Sequence, residues 1–267
     1  MWWWLACAAP SVEPAAAPVE LAADQGPPAP VWPNEGSPLS LLEVAFPEDW
    51  EPPKILVDPG HGAPGNFGTR SSTCEDEAVF AARAADAVLA DLSATGAFAL
   101  KSGRPEGALV PYDDRIAAAR SWAADLGIGL HSDAREGTSY AETPAGCPVI
   151  LGASGFGVLW SDEGDPDQAD RRHALATAIS VRMIEAGFPP FEGGYGDLYD
   201  RDPAQAGVWV DRHLDRYRIK MLRRMPMPYV IVETHEAADP AEAARWRDPW
   251  TLTAFSRALE QAIVDVR

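Results

Sequence analysis

Positive charge is missing from the first fifty-three positions: Lys54 is the first Lys, Arg or His in the chain. It stays scarce afterwards. Lys and Arg number 22 against 40 Asp and Glu, a formal charge of −18. So acidic a chain has no general attraction for phosphate backbones, which excludes nucleic-acid binding and a polybasic membrane patch. Cysteine is also rare. Three residues with no CxxC pair exclude a disulfide-framework mini-protein and a structural zinc knuckle. No run of eighteen apolar residues occurs, so no segment has the length of a membrane-spanning helix. What remains is ordinary globular composition, 46% apolar and 23% charged. With ~100–200 residues per domain as a guide, 267 residues make one large domain or two small ones.

Residues 1–53 hold eleven of the 25 prolines and eight acids, with alanine filling much of the rest. Such a segment buries too little apolar surface to offset the entropy of ordering, so it is expected to be a disordered tether. A patch at Leu41, Leu42, Val44 and Phe46 is its one candidate for docking on the domain. The opening Met1-Trp2-Trp3-Trp4-Leu5-Ala6-Cys7 looks like the tail of a bacterial lipoprotein signal, too short for export by itself. It leads to the expectation that translation starts upstream and that Cys7 is lipidated, tethering the protein to a membrane of the cell envelope, in the periplasm.

From residue 54 to 267 strand-like and helix-like stretches alternate, as expected of one folded domain. Short apolar runs lie at Ile55–Val57, Phe98–Leu100, Ile128–Leu130, Val149–Leu151 and Tyr229–Val232. Helical spacing appears over Glu75–Leu92, Tyr112–Ala124, Ala169–Ala186 and Leu252–Val266. Nearly all-apolar strands between amphipathic helices imply an α/β fold: a mostly parallel twisted sheet with helices on both faces, three layers in all.

In such sheets ligands sit beyond the carboxyl ends of the strands. The first strand runs into Asp58-Pro59-Gly60-His61-Gly62, the third into His131-Ser132-Asp133, and the last into Glu233. Two imidazoles and a carboxylate therefore converge on one rim. Neutral imidazole is the commonest zinc ligand, and a catalytic zinc usually takes three protein ligands. The third is expected among Glu75, Asp76 and Glu77 at the start of the first helix. Glu75 is favoured over Glu77, because it lies four residues before Val79, a candidate core residue. Each residue also has a plainer reading. Glu75 could answer its helix dipole, His61 could serve a turn, His131 could be a bonded core histidine, and Glu233 could be half of a buried ion pair.

The stretch Ile55-Leu56-Val57-Asp58-Pro59-Gly60-His61-Gly62 resembles the opening motif of the zinc-dependent N-acetylmuramoyl-L-alanine amidases, cell-wall hydrolases of the amidase-3 type. The resemblance continues in order through Glu75-Asp76-Glu77-Ala78-Val79-Phe80-Ala81, Leu109-Val110-Pro111-Tyr112-Asp113-Asp114-Arg115, Gly129-Leu130-His131-Ser132-Asp133-Ala134 and Met227-Pro228-Tyr229-Val230-Ile231-Val232-Glu233. It implies one Zn2+ per chain held by His61, Glu75 and His131, with Glu233 the catalytic carboxylate. The implied substrate is peptidoglycan, cut between the muramoyl lactyl group and L-alanine. Alternatives are another zinc amidohydrolase acting on small acyl-amino acids, and a non-catalytic peptidoglycan-binding regulator.

Two departures from that family stand out. Thr234-His235-Glu236 follows Glu233 where a glycine and an apolar residue are usual, so extra ionisable groups either tune the site or form a solvated loop. Residues 187–218 exceed the usual length. With Tyr195, Tyr199, Trp209, His213 and Tyr217 they suit a sugar-stacking wall, a movable cover where a protein regulator acts, or an ordinary packed excursion. Cys74 and Cys147 fall near the same rim, where they either pair and staple two ligand loops or remain free thiols.

Overall fold

The computed structural model describes residues 38–214 and 217–267. In chain order the elements are β1 (Lys54–Pro59), α1 (Glu77–Thr95), β2 (Ala99–Ser102), α2 (Tyr112–Trp122), β3 (Leu126–Asp133), β4 (Ser139–Glu142), β5 (Pro148–Leu151) and β6 (Gly157–Trp160). They continue with α3 (Pro166–Glu185), β7 (Tyr199–Arg201), β8 (Val208–Asp211), α4 (Lys220–Arg224), β9 (Tyr229–Glu236), α5 (Pro240–Arg245) and α6 (Pro249–Asp265). Three helices start on Asp-Pro: Asp165, Asp239 and Asp248 cap α3, α5 and α6 by accepting hydrogen bonds from backbone N–H groups of the first turn. The proline that follows fits that turn, where its missing N–H is not needed.

Seven strands form the central sheet in the order β2-β1-β3-β9-β6-β8-β7. The β2-β1-β3-β9 half is parallel, as expected. Beyond it β6 and β8 run the other way, and the edge strand β7 reverses again. Val149–Leu151 is a strand, but it pairs with β4 in a separate hairpin. The helices cover both faces. One face packs Val88 and Leu92 of α1, Leu175 and Ile179 of α3 and Phe255 and Leu259 of α6 against Ile55, Ile128 and Val230. On the other, Ile116 and Ala119 of α2 and Met221 and Leu222 of α4 lie over Leu56, Tyr229 and Ile231. Among the described residues no helix is long and apolar enough to cross a membrane.

Of the segment expected as a tether, residues 1–37, Cys7 included, lie outside the described residues. Residues 38–53 run along the domain. Leu39 is buried in the larger core, Phe46 and Trp50 pack edge-on against Phe98, and the Trp50 indole donates to Ala97 O at 2.8 Å. Of the expected patch Leu42 and Phe46 dock on the core, together with Leu39 and Trp50, whereas Leu41 is exposed.

Residues 187–218 are a packed part of the fold. They supply β7 and β8 to the central sheet, and Phe191 and Trp209 are buried in the second core. Tyr195 and Tyr199 pack partly buried against that core, whereas Tyr217 is exposed. Thr234-His235-Glu236 is likewise the continuation of β9 rather than a solvated loop. Cys74 and Cys147 form a disulfide with Cα atoms 5.3 Å apart. It ties the loop before α1 to the β4–β5 hairpin.

Candidate active site and metal centre

Because β1, β3 and β9 are adjacent and parallel, their carboxyl ends share one rim. His131 and Glu233 are direct register partners across β3 and β9. His61 follows β1 in a left-handed backbone conformation, φ +53°, which a non-glycine residue holds only at a cost of about 1–2 kcal/mol. Arg115 of α2 secures that turn. Its buried guanidinium donates to the carbonyls of Pro59 (2.8 Å) and His61 and to Asp58 Oδ1 (3.2 Å). Tyr229 of β9 donates to Asp58 Oδ2 at 3.0 Å. Burial pushes the Asp58 carboxyl above its usual range, against the pull of the Arg115 charge.

The acid that joins the two histidines is Glu77, and this corrects the choice of Glu75. Glu77 Oε2 lies 3.0 Å from His61 Nε2, and its Oε1 lies 2.9 Å from His131 Nδ1. Backbone N–H groups of Thr69 and Ser132 donate to the same carboxylate. Glu75 instead pairs with Arg83 at 2.9 Å and Arg247 at 3.4 Å. Both grounds for preferring Glu75 fail. The helix begins at Glu77, with Asp76 as its N-cap, so helical spacing does not apply to residue 75. Val79 is 57% exposed and belongs to no core.

His61, Glu77 and His131 each offer a ligand atom, and these atoms lie within 4.8 Å of one another. The donor chemistry fits a divalent metal of the zinc class, two imidazole nitrogens and one carboxylate oxygen. A further contact orients one ligand. His61 Nδ1 sits 2.8 Å from Asn66 Oδ1, an acceptor, so Nδ1 carries a proton and Nε2 is the nitrogen left to ligate a metal. Asn66 is held in turn by donating to the Tyr112 hydroxyl at 3.0 Å. Two glycines leave room for the imidazoles. A Cβ on Gly60 would fall 2.7 Å from the His131 ring, and one on Gly68 would fall 2.4 Å from Glu77 Oε2. Burial alone would raise the Glu77 carboxyl, but the neighbouring His131 and His61 outweigh it and hold it at about 2. Glu77 is therefore an anion, as a metal ligand must be.

Glu233 projects beside these residues into a cavity of ≈ 280 Å³, lined also by Tyr112, Ile231 and the Ile219-Lys220-Met221 stretch. Its Oε2 is buried with no hydrogen-bond partner among the described residues. Burial, reinforced by the charges of Asp133 and Glu77, pushes its carboxyl well above the usual range. Such a group holds a proton readily.

Sequence reasoning missed the supporting residues. Asn66 lies between Gly65 and Gly68 in a loop with no periodicity, and only that glycine pair marked a tight turn. Arg135 is buried. It bonds Asp133 at 2.7 Å and stacks 4.2 Å from the Phe191 ring centroid, while Tyr195 of the 187–218 segment donates to the same Asp133 carboxylate. No local pattern joins residues 135 and 195.

No curated protein matches the chain. Solved structures do. The N-acetylmuramyl-L-alanine amidase Ami1 from Mycobacterium smegmatis aligns with a TM-score of 0.63 at 21% identity, covering 80% of this chain and 96% of that one. An N-acetylmuramoyl-L-alanine amidase from Clostridium difficile 630 aligns at 0.59 and 18%, with coverage of 80% and 96%. The catalytic domain of CwlV from Bacillus (Paenibacillus) polymyxa var. colistinus aligns at 0.55 and 16%, with 80% and 99%. At these identities the likeness is one of fold. The family is established by the sequence itself: residues 55–265 match the model of the N-acetylmuramoyl-L-alanine amidases of the Amidase_3 type, and the chain belongs to that family.

Proposed function

We propose that this amidase works with one zinc ion held by His61, Glu77 and His131, and with Glu233 as its general base and acid. The observation that carries the reading is the meeting of these four side chains, far apart in sequence, at the mouth of one cavity. The bond cleaved is the amide between the muramoyl lactyl group and L-alanine of peptidoglycan. When bound, zinc supplies Lewis acidity that lowers the pKa of a water from 15.7 toward ~7 and polarises the scissile carbonyl.

The protein's own groups do the rest. Glu233 accepts a proton from the attacking water and delivers it to the alanine nitrogen, which leaves as an amine. Its buried, partnerless oxygen and raised proton affinity suit a carboxylate that must hold a proton between two steps. Asn66 keeps the His61 ring in the tautomer whose Nε2 can ligate. Ile219, Met221 and Ile231 line the cavity with apolar surface that excludes bulk water around the lactyl and alanyl methyl groups.

Digestion of purified sacculi tests this reading. Free stem peptides and intact glycan strands should appear, a chelator should abolish them, and added zinc should restore them. Glycan fragments, or turnover indifferent to chelation, would refute it. The substrate places the enzyme in the cell envelope. Lipidation of Cys7 and a protein regulator seated on residues 187–218 belong to the same proposal. They are read out by mass spectrometry of the native N-terminal peptide and by hydrogen-exchange protection of that segment. An unmodified Cys7 behind an intact Met1 would remove the lipid anchor.

A further inference from the structure

The active cavity opens in an acidic protein, whose chain carries −18. A substrate carboxylate lying away from the metal ligands would meet few cations on such a surface. Among the described residues lining the cavity, Lys220 is the one Lys or Arg.

Three features make Lys220 suited to reading an anion. Its backbone is anchored, since the N–H of Ile219 donates to the buried Asp211 carboxylate at 3.1 Å. Its side chain is 44% exposed and its ammonium is bonded to Asp113 Oδ1 at 2.7 Å, a partner whose side chain is itself 77% exposed. An ion pair that open to solvent contributes little and is readily exchanged for another carboxylate. Finally, its position matches the substrate's geometry. A cavity of ≈ 280 Å³ is roughly 8 Å across, about two residues of extended chain at 3.3–3.6 Å each. An anion bound at its wall would therefore belong to the residue after L-alanine.

We propose that Lys220 is a specificity-determining residue, which exchanges Asp113 for a carboxylate on the stem-peptide residue after the scissile alanine. This rests on the amidase reading above. It makes the enzyme selective for stem peptides that keep that carboxylate free over those in which it is a carboxamide.

The test uses two N-acetylmuramoyl dipeptides that differ only in carboxylate or carboxamide on the second residue. The wild-type chain should favour the carboxylate by about tenfold in kcat/KM, or ~1.4 kcal/mol, expressed mainly in KM. Lys220→Gln should bring the ratio close to one, Lys220→Arg should retain most of it, and Asp113→Asn should raise it by removing the competing acid. A wild-type ratio near one overturns the proposal and leaves the amidase reading intact. So does a ratio that Lys220→Gln does not change, which would make the Lys220–Asp113 pair a clamp between α2 and α4. If the wild type cleaves neither compound while losing no metal, the amidase reading itself fails and the inference falls with it.

Discussion

Three carboxylates near the rim sit in different surroundings, and those surroundings separate their roles. Glu77 is 4% exposed and touches both imidazoles, Glu75 touches two arginines, and Glu233 has an oxygen that touches nothing polar. Substituting each with Gln should therefore give three different outcomes. Glu77→Gln should lose bound metal and activity together, because a neutral amide is a poor ligand. Glu233→Gln should keep stoichiometric metal and lose about 10²–10⁴-fold in kcat, the usual worth of a general base. Glu75→Gln should keep both, at a stability cost within about 1 kcal/mol for its partly exposed pairs. Metal analysis beside sacculus turnover reads all three. Near-native turnover in Glu233→Gln would remove that residue from the mechanism.

At the scale of elements, the loop from Gly60 to Asp76 carries two burdens: it presents His61 and it delivers Glu77 to the start of α1. It is held at both ends. Arg115 pins the His61 turn, and the Cys74–Cys147 disulfide pins the far end, where Cys74 itself has φ +63°. The bridge spans 73 residues of sequence, so its loss should cost about 2–4 kcal/mol, mainly by releasing the unfolded chain. A Cys74→Ser, Cys147→Ser double variant should melt roughly 10 °C lower and bind metal more weakly, since Glu77 stands three residues from the released end. Unchanged melting, together with thiols that titrate at both Cys74 and Cys147 in the unreduced wild type, would show that no bridge forms.

Across the whole molecule, a β-bulge joins the site to the core. His131 pairs with Glu233 and Asp133 with Glu236, so β9 carries one extra residue between them. That residue turns His235 to the face opposite Glu233, where its ring stacks on Trp246 and meets Phe80 edge-on. Burial, with help from the Arg135 charge, pushes its pKa down to about 3. The unfolded chain therefore binds a proton near pH 6.5 that the folded chain refuses, and stability is lost as the pH falls below that value. From pH 7 to pH 4 the loss from His235 should be roughly 3 kcal/mol. His235→Phe should flatten this limb of a pH series of denaturant midpoints, and an unchanged slope would assign it elsewhere.

What the sequence alone determined was topological. Apolar runs ending in Asp-Pro-Gly-His, in His131 and in Glu233 identified the parallel half of the sheet and placed two imidazoles and a carboxylate on one rim. That reading needs only strand periodicity and the rule that ligands gather at strand ends. Tertiary structure decided the finer assignments. Whether Glu75 or Glu77 meets the histidines depends on where the helix starts, and on which of two neighbouring acids the Arg83 and Arg247 charges capture. Asn66, Arg135, Tyr195 and Lys220 reach the site across contacts with no local spacing to betray them. The antiparallel pairing of β6 with β9 was hidden for a similar reason, since strand direction is set by the partner and not by the residues of the strand. Periodicity is a local property of the chain, whereas hydrogen-bond partners and charge pairs are fixed by packing between segments far apart along it.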